Sequence, residues 1–125
     1  MSVNRVSPVN RIKQIVALLC LVLATAVGAQ EPQEISDAEM AMGYYLPLAE
    51  HGEPYAQLTI GEIYMEGSGI EQNMVQAYAW FAVALHQGVE EAEAIMNHVL
   101  EELSEADQLE AKAIAAVYIQ HYSAR

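Results

Sequence analysis

Gly52 and Gly88 stand 36 residues apart, and the residues around them repeat at the same offset. Ala41 aligns with Ala77, Tyr44 with Trp80, Tyr45 with Phe81, Leu48 with Ala84 and Ala56 with Ala92. Asp37 aligns with Asn73, both residue types that cap helices. An accidental offset rarely preserves small, aromatic, capping and glycine positions together. A period of this length marks a chain built from stacked supersecondary units, each too small to bury its own apolar face.

Within each period the apolar residues recur at helical spacing, so the unit is a pair of antiparallel helices. The first helix of the central unit is expected at Pro54–Glu66, with Pro54 in the first turn, where a missing N–H is harmless. Ala56 and Gly61 allow a close helix approach, while Ile60, Ile63 and Tyr64 supply bulk. Gly67-Ser68-Gly69-Ile70 turns the chain, and Asn73 caps a second helix at Met74–Gln87. Ala77, Trp80, Phe81 and Ala84 form one stripe on that helix, and Gly88 ends it. A helix over Asp37–His51, capped by Ser36 with Glu39 three residues on, precedes this unit. Helices over Val89–Leu103 and, capped by Ser104, Glu105–Tyr122 follow it. Pro47 falls inside the first of these helices, an arrangement that ordinarily costs about 3 kcal/mol, but the carbonyl it leaves unpaired belongs to Gly43, where a kink is easily absorbed. The predicted fold is therefore all-α, a short α-solenoid of antiparallel helix hairpins with about five helices. Its organisation is an N-terminal segment 1–29, a leader 30–36 and a repeat domain 37–123, with the complete unit at 52–88.

The central unit resembles the Sel-one-like repeat (SLR), a relative of the tetratricopeptide repeat. Ala56-Gln57, Ile60-Gly61, Tyr64, Gly67, Gly69-Ile70, Asn73, Ala77, Trp80-Phe81, Ala84 and Gly88 follow that family's pattern across 33 residues. The resemblance covers residues 37–88 well and 89–122 weakly. Asn73 replaces the usual Asp but keeps the cap, and Leu85 replaces the usual second Ala. What the resemblance implies is an α-solenoid that binds proteins through its groove and edges and performs no chemistry.

The N-terminal segment has the pattern of a secretory signal peptide: Arg5, Arg11 and Lys13, then an apolar stretch of thirteen residues, Ile15–Val27, then the small-residue exit Val27-Gly28-Ala29. A membrane-spanning helix needs roughly twenty apolar residues, so cleavage is expected, and an uncleaved inner-membrane anchor is the alternative. Cys20 lies in the apolar block behind Leu19, not behind the small residue that lipidation requires, and is expected to leave with the signal. The predicted location is the periplasm or the exterior. From Gln30 on, two cations (Lys112 and Arg125) face seventeen acids, a formal net charge of −15. Such a surface repels phosphate backbones and anionic headgroups, which argues against nucleic acid and membrane as partners.

Catalytic and metal constellations are scarce in this sequence. Without Cys20 the chain has no thiolate, which removes disulfides, cysteine nucleophiles and cysteine metal sites. His51, His86, His98 and His121 lack ligand spacing, and His51 and His86 sit at helix C-termini, where the dipole favours a cation. Glu90, Glu91 and Glu93 occupy a first helical turn, and Glu101, Glu102 and Glu105 a helical face, so both clusters read as solvated or as docking patches for a basic partner. Ser68, in the Gly67–Gly69 turn, has neither a nucleophile elbow nor a Lys or Arg to complete an anion cradle. No catalytic, cofactor or metal residue is assigned. Tyr44, Tyr45, Tyr64, Trp80 and Phe81 are expected mostly in the core, whereas Tyr55 and Tyr78 are expected to line a partner-binding groove. The expected function is a non-enzymatic exported scaffold for a protein or peptide, with self-association as a further expectation. The alternatives are a small subunit or accessory factor of a cell-envelope complex, or a weak hydrolase.

Overall fold

The computed structural model describes residues 33–125 together with Lys13 and Ile15. The chain divides into two compact units, Met1–Glu34 and Ile35–Arg125, and the account below concerns the second. The expected signal peptide, its exit site, Cys20 and most of the leader lie outside the described residues. Among the described residues no helix is long and apolar enough to cross a membrane.

Five helices and no strand occupy Ile35–Arg125: α1 (Asp37–Glu50), α2 (Pro54–Glu66), α3 (Met74–His86), α4 (Glu91–Glu102) and α5 (Glu105–Tyr122). They pack in pairs as a short helical-repeat solenoid, α1 on α2, α2 on α3, α3 on α4 and α3 on α5. The helix starts follow from local chemistry. Ser36 closes a capping box, its Oγ accepting from Glu39 N at 3.1 Å while its own N–H donates to the Glu39 carboxylate at 2.8 Å. Asn73 Oδ1 accepts from Gln76 N, and Ser104 Oγ accepts from Asp107 N. Helix α4 begins two residues later than the spacing predicts, because Val89 and Glu90 complete the turn out of α3.

The 36-residue period is visible in the backbone hydrogen bonds that end α1 and α3. Gly52 N donates to Ala49 O and Glu53 N to Leu48 O, both at 3.0 Å. One period on, Gly88 N donates to Leu85 O at 2.9 Å and Val89 N to Ala84 O at 3.0 Å. Both glycines take positive φ, 94° and 99°, the left-handed geometry that such helix ends require.

Helix α3 is the centre of the molecule. Ala77, Phe81 and Ala84 pack with Val89, Ala92 and Val99 on one side. On another, Trp80 joins Ala49, Ala56 and Ile60, with Tyr118 and Tyr122 of α5 packed against them. The close approach of α2 and α3 depends on Gly61, where a Cβ would lie 2.6 Å from the buried Phe81 ring.

Helix α5 departs from a plain continuation of the stack. It lies along α3 and reaches α1. Aromatic packing accounts for this course: the Trp80 ring lies 5.0 Å from both Tyr118 and Tyr122, stacked on the latter. Tyr118 also donates to Gln76 Oε1 at 2.8 Å. The chain end then crosses Gly52, where a Cβ would meet the Ala124 backbone at 3.0 Å.

A buried amide network locks this closure. Gln57, with no exposed surface, donates through Nε2 to Ala49 O (2.9 Å) and Tyr122 O (2.8 Å). Its Oε1 accepts from Gln87 Nε2 at 2.6 Å, and Gln87 in turn donates to Gly52 O and accepts from Ala124 N. Both amides use both N–H donors and have a bond to each carbonyl oxygen, which is the condition under which a buried polar group stabilises a core.

Tyr44 is not in the core. It is 67% exposed, against an expectation of burial drawn from its equivalence to Trp80. The physical reason is that, within Ile35–Arg125, no helix lies on the outer side of α1 to play the part that α5 plays for α3.

Candidate functional site

The drawing of α5 onto α3 opens a groove of about 390 Å³ bounded by α3, α4 and α5. Helix α3 contributes Tyr78, Ala82, Leu85 and His86; α4 contributes Met96; α5 contributes Lys112, Ala115, Ala116 and Ile119. Small residues make its floor. Ala79, Ala82 and Ala115 let α3 and α5 approach closely, and the larger Tyr78, Met96, Ile114 and Ile119 pack around them. Helices meeting through alanines leave the bulkier flanking side chains as walls, so the groove follows from where the alanines fall.

The polar fittings of the groove are few. Lys112 is the sole Lys or Arg among the residues of the five helices, and it lines the groove. It forms no ion pair among the described residues. His86, exposed in the last turn of α3, is the second nitrogen-bearing side chain on the lining. Tyr78 is half-buried in the wall, and burial raises its phenol pKa, which keeps the hydroxyl protonated as a donor.

Tyr55 stands elsewhere. It is 61% exposed in the first turn of α2 and is not among the residues lining the groove. The two tyrosines singled out from the sequence are thus one wall residue and one separate surface residue. Sequence reasoning missed Lys112, Met96 and Ile119; the lone position of Lys112 in an acidic helical array was the available signal.

The remaining repeat positions are structural. Ala56, Gly61, Ala77, Trp80, Phe81 and Ala84 are buried, and Tyr64 is half-buried against two of the apolar clusters. Gly67 and Gly69 have φ of 66° and 84°. Their turn is filled from within: a Cβ on Gly67 would meet Gln72, one on Gly69 would meet Ser36, and Gln72 Nε2 donates to Met65 O at 2.8 Å.

The other candidates are scattered. His51 Nδ1 donates to Pro47 O at 2.6 Å in the cap of α1, and His98 lies 3.1 Å from Glu102 on an exposed face of α4. Among the described residues no group of three His, Cys, Asp or Glu gathers as a metal-holding set. Glu90, Glu91, Glu93, Glu101, Glu102 and Glu105 are all exposed. Ser36 and Ser104 spend their hydroxyls on helix caps.

The chain matches no known family model. No curated protein matches it either.

Proposed function

We propose that the chain is an exported Sel-one-like-repeat scaffold that holds a protein or peptide partner and performs no chemistry of its own. The observation that carries this reading is the groove between α3, α4 and α5. Buried Ala82 and Ala115 at the floor, apolar walls and one cation suit a partner segment that seats an apolar side chain and places an acceptor near Lys112. Tyr78, apolar in body with a protonated hydroxyl at its tip, is the kind of anchor that dominates such contacts.

Two further observations support the reading. The 36-residue period recurs in the hydrogen bonding of two successive helix ends, as a repeat array requires. Ser36 and Ser104 spend their hydroxyls on helix caps, and the clustered acids Glu90, Glu91, Glu93, Glu101, Glu102 and Glu105 stand exposed. Export rests on the cationic, apolar and small-residue pattern of residues 1–29.

The test is site-specific photo-crosslinking in the exporting cell, with the reactive residue at position 78 and a control at exposed Glu101. A discrete adduct from 78, identified by mass spectrometry and abolished by Ala116→Arg at an exposed position on the groove lining, supports the scaffold. No adduct from 78 contradicts it.

A further inference from the structure

The repeat supplies an internal comparison for the outer face of α1. Met40, Gly43, Tyr44, Pro47 and Leu48 form one contiguous face, and every one of them is exposed. One period on stand Gln76, Ala79, Trp80, Val83 and Ala84 of α3. Ala79, Val83 and Ala84 have no exposed surface, Trp80 has 3%, and Gln76 is half-buried. Helix α5 is a principal cover of this face: Tyr118 bonds Gln76 and packs on Ala79 and Trp80, and Tyr122 stacks on Trp80. On α1 the same repeat positions are bare, with Met40 at 57%, Tyr44 at 67% and Leu48 at 40% exposure.

Gly43 adds an independent observation. A glycine inside a helix costs about 1 kcal/mol against alanine. Gly61, the other mid-helix glycine, has its reason in the Phe81 ring, which occupies the space of its missing Cβ. Above Gly43 there is nothing within 4 Å. Its carbonyl also lacks the usual helical partner, because residue 47 is proline. The face therefore carries an apolar stripe and an open notch side by side.

Charge selects the occupant. The charged residues of α1 are Asp37, Glu39 and Glu50, all acids, in a chain that carries −15 from Gln30 on. A second copy brings the same sign to the contact, whereas Lys or Arg on a partner complements the field. The geometry points to the outer face of α1 as a docking site for a basic amphipathic α-helix of another protein, laid on α1 as α5 is laid on α3. This site is separate from the α3–α4–α5 groove and does not depend on it.

The probe is a labelled 18-residue peptide of the α5 sequence Glu105–Tyr122 with Glu105→Lys, Asp107→Lys and Glu110→Lys, titrated by fluorescence anisotropy against the full-length chain as the cell processes it. The expected result is saturable binding about tenfold tighter than that of the unaltered peptide, weakened by salt and by about tenfold in Leu48→Lys. Gly43→Ala fills the notch in open space, so it weakens binding several-fold while the helical melt is unchanged or raised. Lys112→Glu, in the groove, leaves binding intact. Absence of binding, or binding indifferent to both Leu48→Lys and Gly43→Ala, overturns the proposal. So does a dimer in sedimentation that Leu48→Lys dissolves, since that assigns the face to a second copy.

Discussion

Gln87 Nε2 donates to the Oε1 of fully buried Gln57 at 2.6 Å, joining residues thirty positions apart at the junction of α1, α2 and the chain end. Through this pair the carbonyls of Ala49, Gly52 and Tyr122 and the N–H of Ala124 are all satisfied. Removing Gln57 takes the side-chain partner from the part-buried Tyr122 carbonyl and from Gln87, while Ala49 O keeps the Gly52 N–H; an unmet buried polar group costs about 1–3 kcal/mol. Gln57→Ala is expected to lose about 3 kcal/mol, from the cavity and the lost partners together. Because the two residues share one network, the Gln57→Ala, Gln87→Ala double variant loses less than the sum of the singles. Urea denaturation followed through the single tryptophan, Trp80, measures both effects.

Gly61→Ala sets two effects against each other. Alanine favours the helix by about 1 kcal/mol, but its Cβ would lie 2.6 Å from a Phe81 ring that has no exposed surface into which to move. Overpacking of a closed core costs typically 1–3 kcal/mol, and here it wins. The variant is expected to melt several degrees lower, and Phe81→Leu in the same chain to restore part of the loss. Thermal melts of the three variants decide this.

Gly43→Ala has the opposite sign. With open space above position 43 the helix preference acts alone, and stability rises by up to about 1 kcal/mol. A drop in melting temperature would show that α1 accommodates Pro47 only with glycine at 43.

Glu62 gives a pH-dependent prediction. Burial, and after it the Glu66 carboxylate, raises its pKa above the ordinary carboxylate value. The folded chain thus holds this proton more tightly than the unfolded chain does. Its contribution is fully present below the unfolded pKa and is lost as pH rises through the folded pKa. Glu62→Gln is accordingly more stable than the parent at neutral pH, by a small margin because the group is only half-buried and solvent screens it. The advantage disappears in acid, below the carboxylate range. Melting curves of the pair across that range test the sign.

Much of the fold was legible because it is written in local chemistry. Ser36, Asn73 and Ser104 cap as their neighbours dictate, and Gly52 and Gly88 end helices with the same pair of hydrogen bonds. The bounds of α2 and α5 follow from Pro54, Gly67 and Ser104. What local pattern does not carry is where a helix goes after its turn. Ser104 starts α5, but the Trp80 ring and the buried Gln57 amide, both distant in sequence, decide that α5 crosses α3 and reaches α1. That course creates the groove, so Lys112, Met96 and Ile119 became neighbours of Tyr78 only through packing. It also explains Tyr44, whose stripe has the composition of a core face and whose covering helix is absent from Ile35–Arg125.

The central claim is that this chain works by holding a partner in the α3–α4–α5 groove, and crosslinking from position 78 in the exporting cell tests it most directly. The account predicts a discrete adduct that disappears with Ala116→Arg, at an exposed position on the groove lining, and weakens with Lys112→Glu while the melting temperature holds. Position 78 yielding no adduct, or an adduct that Ala116→Arg leaves unchanged, would contradict it.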